Sequence, residues 1–274
     1  TIQLNTLSYK YMIKKLIKRF TRKYQVIDDA GYLDIRSNFL NSIPKQGDTL
    51  EIGPFYSPIW TGNIVKYFDI LSQEDLVTRA RSITGQNNIK SVPYIDYVSS
   101  KGDLRIIERK FDSVVSSHVV EHQLDFIGHL QAVSNLLEKM GKYYMVIPDK
   151  RYCFDHFNNE STIAEVISAN IEKKERHSLK SVIEHRALTT HNDSYRHWNG
   201  DHGDIENKID KIKAAISEYN TGAYIDVHAW YFTPESFKKI IMQLNDLDII
   251  NLKVKRLYPT PKGSLEFYVI LGKS

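Results

Sequence analysis

The sequence predicts an α/β fold, a mostly parallel sheet covered by helices and closed by an antiparallel hairpin. Two observations predict it. Between Thr49 and Asp149, short apolar runs rich in β-branched and aromatic residues alternate with segments of helical spacing, as strands joined by crossover helices do. After Thr233 the chain returns to a capped helix and two closing apolar runs, Ile249 to Leu257 and Leu265 to Leu271, divided by Pro259-Thr260-Pro261-Lys262-Gly263.

The elements follow in order. In residues 9–23, Tyr9, Met12, Ile13, Leu16, Ile17 and Phe20 recur at helical spacing among seven lysines and arginines, a basic amphipathic helix. Such a helix docks on its own domain, or offers its basic face to an anionic membrane surface or an acidic partner in an assembly complex. A second short helix is expected within 28–40, completing an N-terminal helical segment over 1–48. The core, 49–149, opens with Thr49-Leu50-Glu51-Ile52-Gly53-Pro54, a strand whose acid sits at its mouth before a tight turn. Ile64 to Phe68 is a strand ending in Asp69, Glu74 to Ile83 a helix, and Ser91 to Val98 a β-rich run containing Asp96. Lys101-Gly102-Asp103-Leu104 turns into the strand Phe111 to Ser117. A helix from Phe126 to Met140, capped by Gly141, then leads to the strand Tyr143 to Ile147, which stops at Pro148-Asp149.

From 150 to 232 the alternation stops. Two helices are expected, around Ile163 to Arg176 and Glu206 to Tyr219, within an insertion of roughly 80 residues that reads as a lid. The core resumes over 233–274, where Thr233 caps a helix with Pro234 at its first position.

Composition narrows the function. With 274 residues, 42% hydrophobic and 26% charged, the chain buries a full core, and no run approaches a membrane span or a signal peptide, so a cytoplasmic location is expected. One cysteine, Cys153, argues against a disulfide and a cysteine-built zinc site. A net charge of +4, with basic residues gathered in one helix, argues against a nucleic-acid partner. Nine of the ten histidines fall between His118 and His202, and the tenth is His228.

The ordered series Leu50-Glu51-Ile52-Gly53-Pro54, Asp69, Gly102-Asp103-Leu104, Phe111 through His122, and Leu136 through Gly141 resembles the class I S-adenosylmethionine-dependent methyltransferases. Ile147 to Tyr152 and Asp226-Val227-His228-Ala229-Trp230 are similar to a bacterial subgroup linked to surface-polysaccharide (O-antigen or capsule) synthesis. The resemblance implies a Rossmann-like seven-stranded sheet with a C-terminal antiparallel hairpin, an inserted largely helical lid, and S-adenosylmethionine as cofactor. It places Glu51, Gly53 and Pro54 at the amino-acid part of the cofactor, Asp69 at the ribose, Asp103, or less readily Asp96, at the adenine, and Ser117 and His118 beside the methionine. Asp69 follows Glu51 by 18 residues, a spacing that also suits a nicotinamide-binding fold, but Pro54-Phe55 stands where a pyrophosphate needs glycines.

Methyl transfer from a sulfonium needs alignment and, for a hydroxyl acceptor, a base. Histidines and carboxylates that suit this role are His118, His122, Asp149, Asp155, His156, His191, His197, His202 and His228, of which His118, Asp149, His191, His197 and His228 are taken as the catalytic candidates, and the mix of His, Asp, Asn and Trp in the insertion suits a sugar. His118-x-x-Glu121-His122 puts three metal-ligating groups on one helical face, so a divalent ion is weighed at His118, Glu121 and His122, although Glu-His here also occurs where it merely fixes a loop. Small-RNA 2′-O-methyltransferases and ubiquinone-pathway O-methyltransferases look similar at this motif, with an acid where this chain has His118. The resulting expectation is methyl transfer to a hydroxyl of a saccharide or nucleotide-linked sugar in cell-envelope synthesis. The rivals are N-methylation of an amino sugar or small metabolite, and a non-catalytic cofactor-binding module of a polysaccharide assembly.

Overall fold

The computed structural model describes residues 35–274 except 63, 86–88, 90, 91 and 207; the basic segment 9–23 and the start of the 28–40 helix lie outside the described residues. Seven strands form one sheet: β1 (Thr49–Ile52), β2 (Val65–Asp69), β3 (Tyr97–Val98), β4 (Phe111–Ser117), β5 (Leu137–Pro148), β6 (Leu252–Tyr258) and β7 (Glu266–Lys273). Their order is β3-β2-β1-β4-β5-β7-β6, with β1 to β5 parallel and β7 antiparallel to both neighbours. The chain builds outward from β1 to β3, then crosses to β4 on the other side of β1. The sheet order therefore reverses between β1 and β4, where an open α/β sheet leaves a crevice at its carboxyl edge.

Strands buried on both faces read as continuous apolar runs because neither face meets water. Val114, Tyr143, Met145 and Ile147 point into one core with α3 (Phe126–Leu136) and α8 (Pro234–Asp246), while Val115, Tyr144 and Val146 point into the other. There α1 (Ile35–Asn41) presents Phe39, stacked on Tyr268 at 5.0 Å between ring centres. Beneath β2, α2 (Gln73–Thr84) buries Leu76 against Val65 and Tyr67. α8 starts as the sequence indicates: Thr233 Oγ1 accepts the Ser236 N–H, Ser236 Oγ accepts the Thr233 N–H, and Pro234 takes the first helical position.

Two local readings are corrected. The helix expected to reach Met140 stops at Leu136, and Gly141 lies inside β5 rather than at a helix cap. Leu137 pairs with Phe111 and is fully buried, so the apolar run continues as strand; a Cβ on Gly141 would come within 2.9 Å of the Phe111 carbonyl oxygen, where the β4/β5 register shifts. Of the β-rich run 91–98, only Tyr97–Val98 pairs as strand. Pro93 has no N–H for a ladder, and Val92 and Ile95 pack under β2 instead.

The insertion leaves and rejoins the core at one place, where Asp149 bridges Phe232 and the Lys150 N–H donates to the Phe232 carbonyl at 2.9 Å. Among the described residues it holds four helices, α4 (Ile163–Glu172), α5 (Leu179–Ala187), α6 (Ser194–Trp198) and α7 (Lys208–Asn220). α4 contributes Val166 and Ala169 to the main core, whereas Val182 of α5, Ala215 of α7, Ile225 and Val227 form a small core of their own. Among the described residues no helix is long and apolar enough to cross a membrane.

Candidate active site

At the crevice, β1 ends in a turn that only a small residue makes easily. Gly53 has φ +68°, its N–H donates to the Phe68 carbonyl at 2.9 Å, and an added Cβ would lie 2.7 Å from the Val119 side chain. The Glu51 carboxylate is buried and turned back onto this loop, accepting the N–H groups of Ile59 (2.7 Å) and Trp60 (3.0 Å). Burial pushes its pKa up to about 7 against the pull of those two donors. Glu51 thus fixes the loop that follows Gly53. Asp69, 7% exposed at the end of β2, accepts the Leu71 N–H at 3.1 Å; burial raises its pKa, opposed by the amides of Leu71 and Ile70 and by Arg79. Pro54 is buried in the loop, and Phe55 takes the left-handed conformation at φ 46°.

Past the end of β3, Asp103 caps a short 3-10 turn, and its carboxylate is held by the Arg105 side chain at 2.8 and 2.9 Å. The hydrogen bonds to Arg105 keep its pKa low. Asp96 precedes β3 and is committed to Lys66 Nζ (2.7 Å) and the Tyr67 N–H (3.0 Å), away from the carboxyl edge.

At the end of β4, Ser117 Oγ accepts from Arg36 at 3.2 Å, and His118, with φ 54°, turns its Nε2 to Glu266 at 2.8 Å and its Nδ1 toward Glu121 at 3.5 Å. Burial opposes the charged imidazole, but the hydrogen bond to Glu266 and the charge of Glu121 outweigh it and hold the His118 pKa above its ordinary value. Glu121 is fully buried, and among the described residues neither carboxylate oxygen has a hydrogen-bond partner. Beside it stand His122 and His228, rings perpendicular at 89° and 4.6 Å apart. Each ring is anchored through Nδ1 by a carboxylate: His122 by Asp226 at 3.0 Å, His228 by the buried Asp155 at 2.6 Å. An Nδ1–H given to a carboxylate fixes the tautomer and leaves the Nε2 lone pair available. Ligand atoms of Glu121, His122 and His228 all lie within 4.8 Å of one another. Arg79 ties this cluster to the loop after β1, pairing with Asp226 while its guanidinium lies 5.7 Å from the Phe55 ring centre.

Solved methyltransferases are among the structures to which this chain is similar. The chain is similar to the CcbJ methyltransferase of Streptomyces caelestis, at 10% identity over 87% of this chain and 93% of that one, TM-score 0.45. It is similar to an S-adenosylmethionine-dependent methyltransferase of Clostridium acetobutylicum (11%, 97% and 100%, 0.44) and a putative one of Listeria monocytogenes (12%, 87% and 97%, 0.44). No protein-family model and no curated protein matches the chain.

The remaining predicted residues lie elsewhere. Asp149 is fully buried, with its oxygens taken by Arg151 (2.9 and 2.6 Å) and by the Thr260 hydroxyl (2.6 Å), which fastens the start of the insertion to the β6–β7 loop. His191 donates from Nε2 to the Asp201 carbonyl at 3.1 Å and accepts the Asp193 N–H on Nδ1 at 3.2 Å. His197, buried, donates from Nε2 to the His191 carbonyl and faces His202 through Nδ1 at 3.0 Å. His156, His197 and His202 form a second group whose ligand atoms also lie within 4.8 Å of one another, with His156 and His202 stacked at 3.7 Å and 11°. The sequence reading named Asp155 as a candidate base and Asp226 within the segment to Trp230 without giving either the role of orienting a histidine, and it missed Glu266, Arg36 and Arg79. The spacing Asp226-Val227-His228 was a partial signal, but its two members serve different histidines.

Proposed function

We propose that this chain is a cytoplasmic S-adenosylmethionine-dependent methyltransferase acting on a hydroxyl of a saccharide or nucleotide-linked sugar in cell-envelope polysaccharide synthesis. The observation that carries this reading is the Asp155–His228 pair, a carboxylate-anchored imidazole whose Nε2 is available close to the carboxyl edge of β4. In the reading, Gly53 and Pro54 border the amino-acid part of the cofactor, with Glu51 bracing their loop; Asp69 accepts the ribose hydroxyls, Asp103 flanks the adenine, and Ser117 and His118 border the methionine.

The acceptor oxygen attacks the sulfonium methyl in line; a C–O bond forms, the C–S bond breaks, and the sulfur leaves as a neutral thioether. The leaving group needs no proton, so the acid–base work is removal of the acceptor's proton. His228 Nε2 takes it, and Asp155 stabilises the imidazolium that results. An amine arriving neutral would not need this base, which is why the pair favours O-methylation over N-methylation. Oriented acid–base groups likewise favour an enzyme over a cofactor-binding module.

The Glu121 carboxylate is fully buried, has no hydrogen-bond donor among the described residues and faces His118 Nδ1 only at 3.5 Å, which favours a second reading of the same cluster, since a buried charge is costly unless closely paired. Glu121, His122 and His228 fit a divalent ion, with Asp226 and Asp155 as the outer groups that orient the histidines. A bound ion would supply Lewis acidity, lowering the pKa of the acceptor hydroxyl.

The test is transfer of a labelled methyl group from S-adenosylmethionine to a panel of nucleotide sugars, with and without a chelator. A methylated sugar is expected. Methylation of amino sugars at nitrogen alone would decide for N-transfer, and cofactor binding without turnover on any sugar or amine would decide for the assembly module.

A further inference from the structure

The second histidine group stands where two segments of the insertion meet. His156 belongs to the segment that follows β5, His197 lies in α6, and a turn at Gly200, whose N–H donates to the His197 carbonyl at 3.0 Å, brings His202 back beside it. The segments are joined through their backbones. The Thr190 N–H donates to the Phe154 carbonyl at 3.0 Å, and the Phe154 N–H donates to Asn192 Oδ1 at 3.2 Å. The Thr190 hydroxyl holds the His202 carbonyl at 2.6 Å, a closeness that Gly203 permits, since a Cβ there would lie 2.6 Å from that hydroxyl.

Hydrogen bonds fix where the lone pairs of these rings lie. A carbonyl only accepts, so His156 carries its proton on Nδ1, given to the Arg151 carbonyl at 2.8 Å, and His197 carries its proton on Nε2, given to the His191 carbonyl at 3.1 Å. His156 Nε2 and His197 Nδ1 are then lone pairs. His197 Nδ1 meets His202 Nδ1 at 3.0 Å, and one nitrogen from each ring lies within 4.8 Å of the other two. A second nitrogen held by a carbonyl is the usual way a metal-binding histidine is oriented. None of the three rings forms an ion pair among the described residues, and the charged groups beside them are engaged elsewhere: Asp149 with Arg151, Asp201 with Arg196, and Lys150 with the His156 carbonyl. Burial first, then the neighbouring charged groups, lowers the pKa of His156 and His197 against the pull of their carbonyl partners, which keeps both rings in the neutral form that binds metal.

We propose that His156, His197 and His202 bind a zinc ion that fastens the 190–203 loop to the start of the insertion. A set of imidazoles alone suits Zn²⁺, whereas the Glu121 cluster offers a carboxylate as well. His156 and His202 are stacked at 3.7 Å, so closing on the ion turns these two half-buried rings out of their stack, around a His197 ring that is 2% exposed and stays in place. Three protein ligands leave the fourth tetrahedral position to a water or another oxygen. The proposal is independent of the methyl-transfer reading.

Zn²⁺ titration in competition with a chromophoric chelator, on the full chain stripped of metal beforehand, tests it. The Glu121→Gln chain serves as the parent, so that the other cluster does not contribute. The parent is expected to take up zinc, and His156→Ala and His202→Ala, added to it singly, each to weaken binding by about tenfold or more. Hydrogen exchange supplies a second readout: zinc should slow exchange across 190–203 in the parent and not in the His202→Ala chain. Absence of zinc uptake, an affinity indifferent to both substitutions, or uptake without protection of 190–203 would overturn the proposal.

Discussion

Two histidine groups follow the sheet core, and they are built on opposite principles. His122 and His228 are perpendicular, anchored through Nδ1 by Asp226 and Asp155, and set against the buried carboxylate of Glu121. His156, His197 and His202 are stacked nearly parallel, with His156 and His197 anchored by the carbonyls of Arg151 and His191. A carboxylate anchor supports a positive imidazole or a bound cation, so the first group can exchange protons or hold an ion. A carbonyl anchor and mutual stacking favour neutral rings, and burial together with the neighbouring imidazoles lowers the pKa of His156 and His197.

The rate comparison is the strongest way to break this contrast. His228→Gln should lower methyl transfer by roughly 100- to 10,000-fold, the range for a general acid–base group, while His197→Gln changes it by less than about tenfold. Initial rates of S-adenosylhomocysteine release measure both, and a reversed order would move the centre into the insertion. Metal binding sharpens the contrast next. On the second reading, in which His228 Nε2 is a ligand and not the base, titration with Mn²⁺ shows binding that Glu121→Gln weakens by at least about tenfold and His202→Ala leaves unchanged; retention in Glu121→Gln would remove the ion from this cluster.

The smallest effect concerns the loop at Gly53. The Glu51 pKa is raised in the fold, to about 7 from an ordinary 4.5. Its contribution to stability is thus fully present below about pH 4.5 and is lost as pH rises through about 7. Over that window the wild-type chain should lose on the order of 3 kcal/mol more stability than Glu51→Gln. Urea unfolding from pH 4.5 to 8 measures it, and parallel curves would show that the carboxyl is not held as described.

The sheet and its crevice were legible because they rest on local signals: apolar strands, a glycine turn after Ile52, an acid after Phe68 and the Thr233-Pro234 cap all act within a few residues. Gly141 misled because a glycine after an apolar helical run reads as a cap, whereas here it makes room for the Phe111 carbonyl on a neighbouring strand. The helices Leu179–Ala187 and Ser194–Trp198 were missed because their buried faces meet the insertion's small core and the β6–β7 loop, contacts without a strong period in sequence. At the candidate site the residue types were readable and their roles were not. His228 depends on Asp155, 73 residues earlier, and His118 on Glu266, 148 later, and no spacing encodes such pairs.

The central claim is that the crevice at Gly53 and Asp69 holds S-adenosylmethionine. Calorimetry with S-adenosylhomocysteine and with NAD on the wild-type chain and Asp69→Ala tests it most directly. Binding of S-adenosylhomocysteine but not NAD, weakened about tenfold to a hundredfold in Asp69→Ala, is the predicted result. Tight NAD binding without S-adenosylhomocysteine, or an affinity indifferent to Asp69, would contradict it.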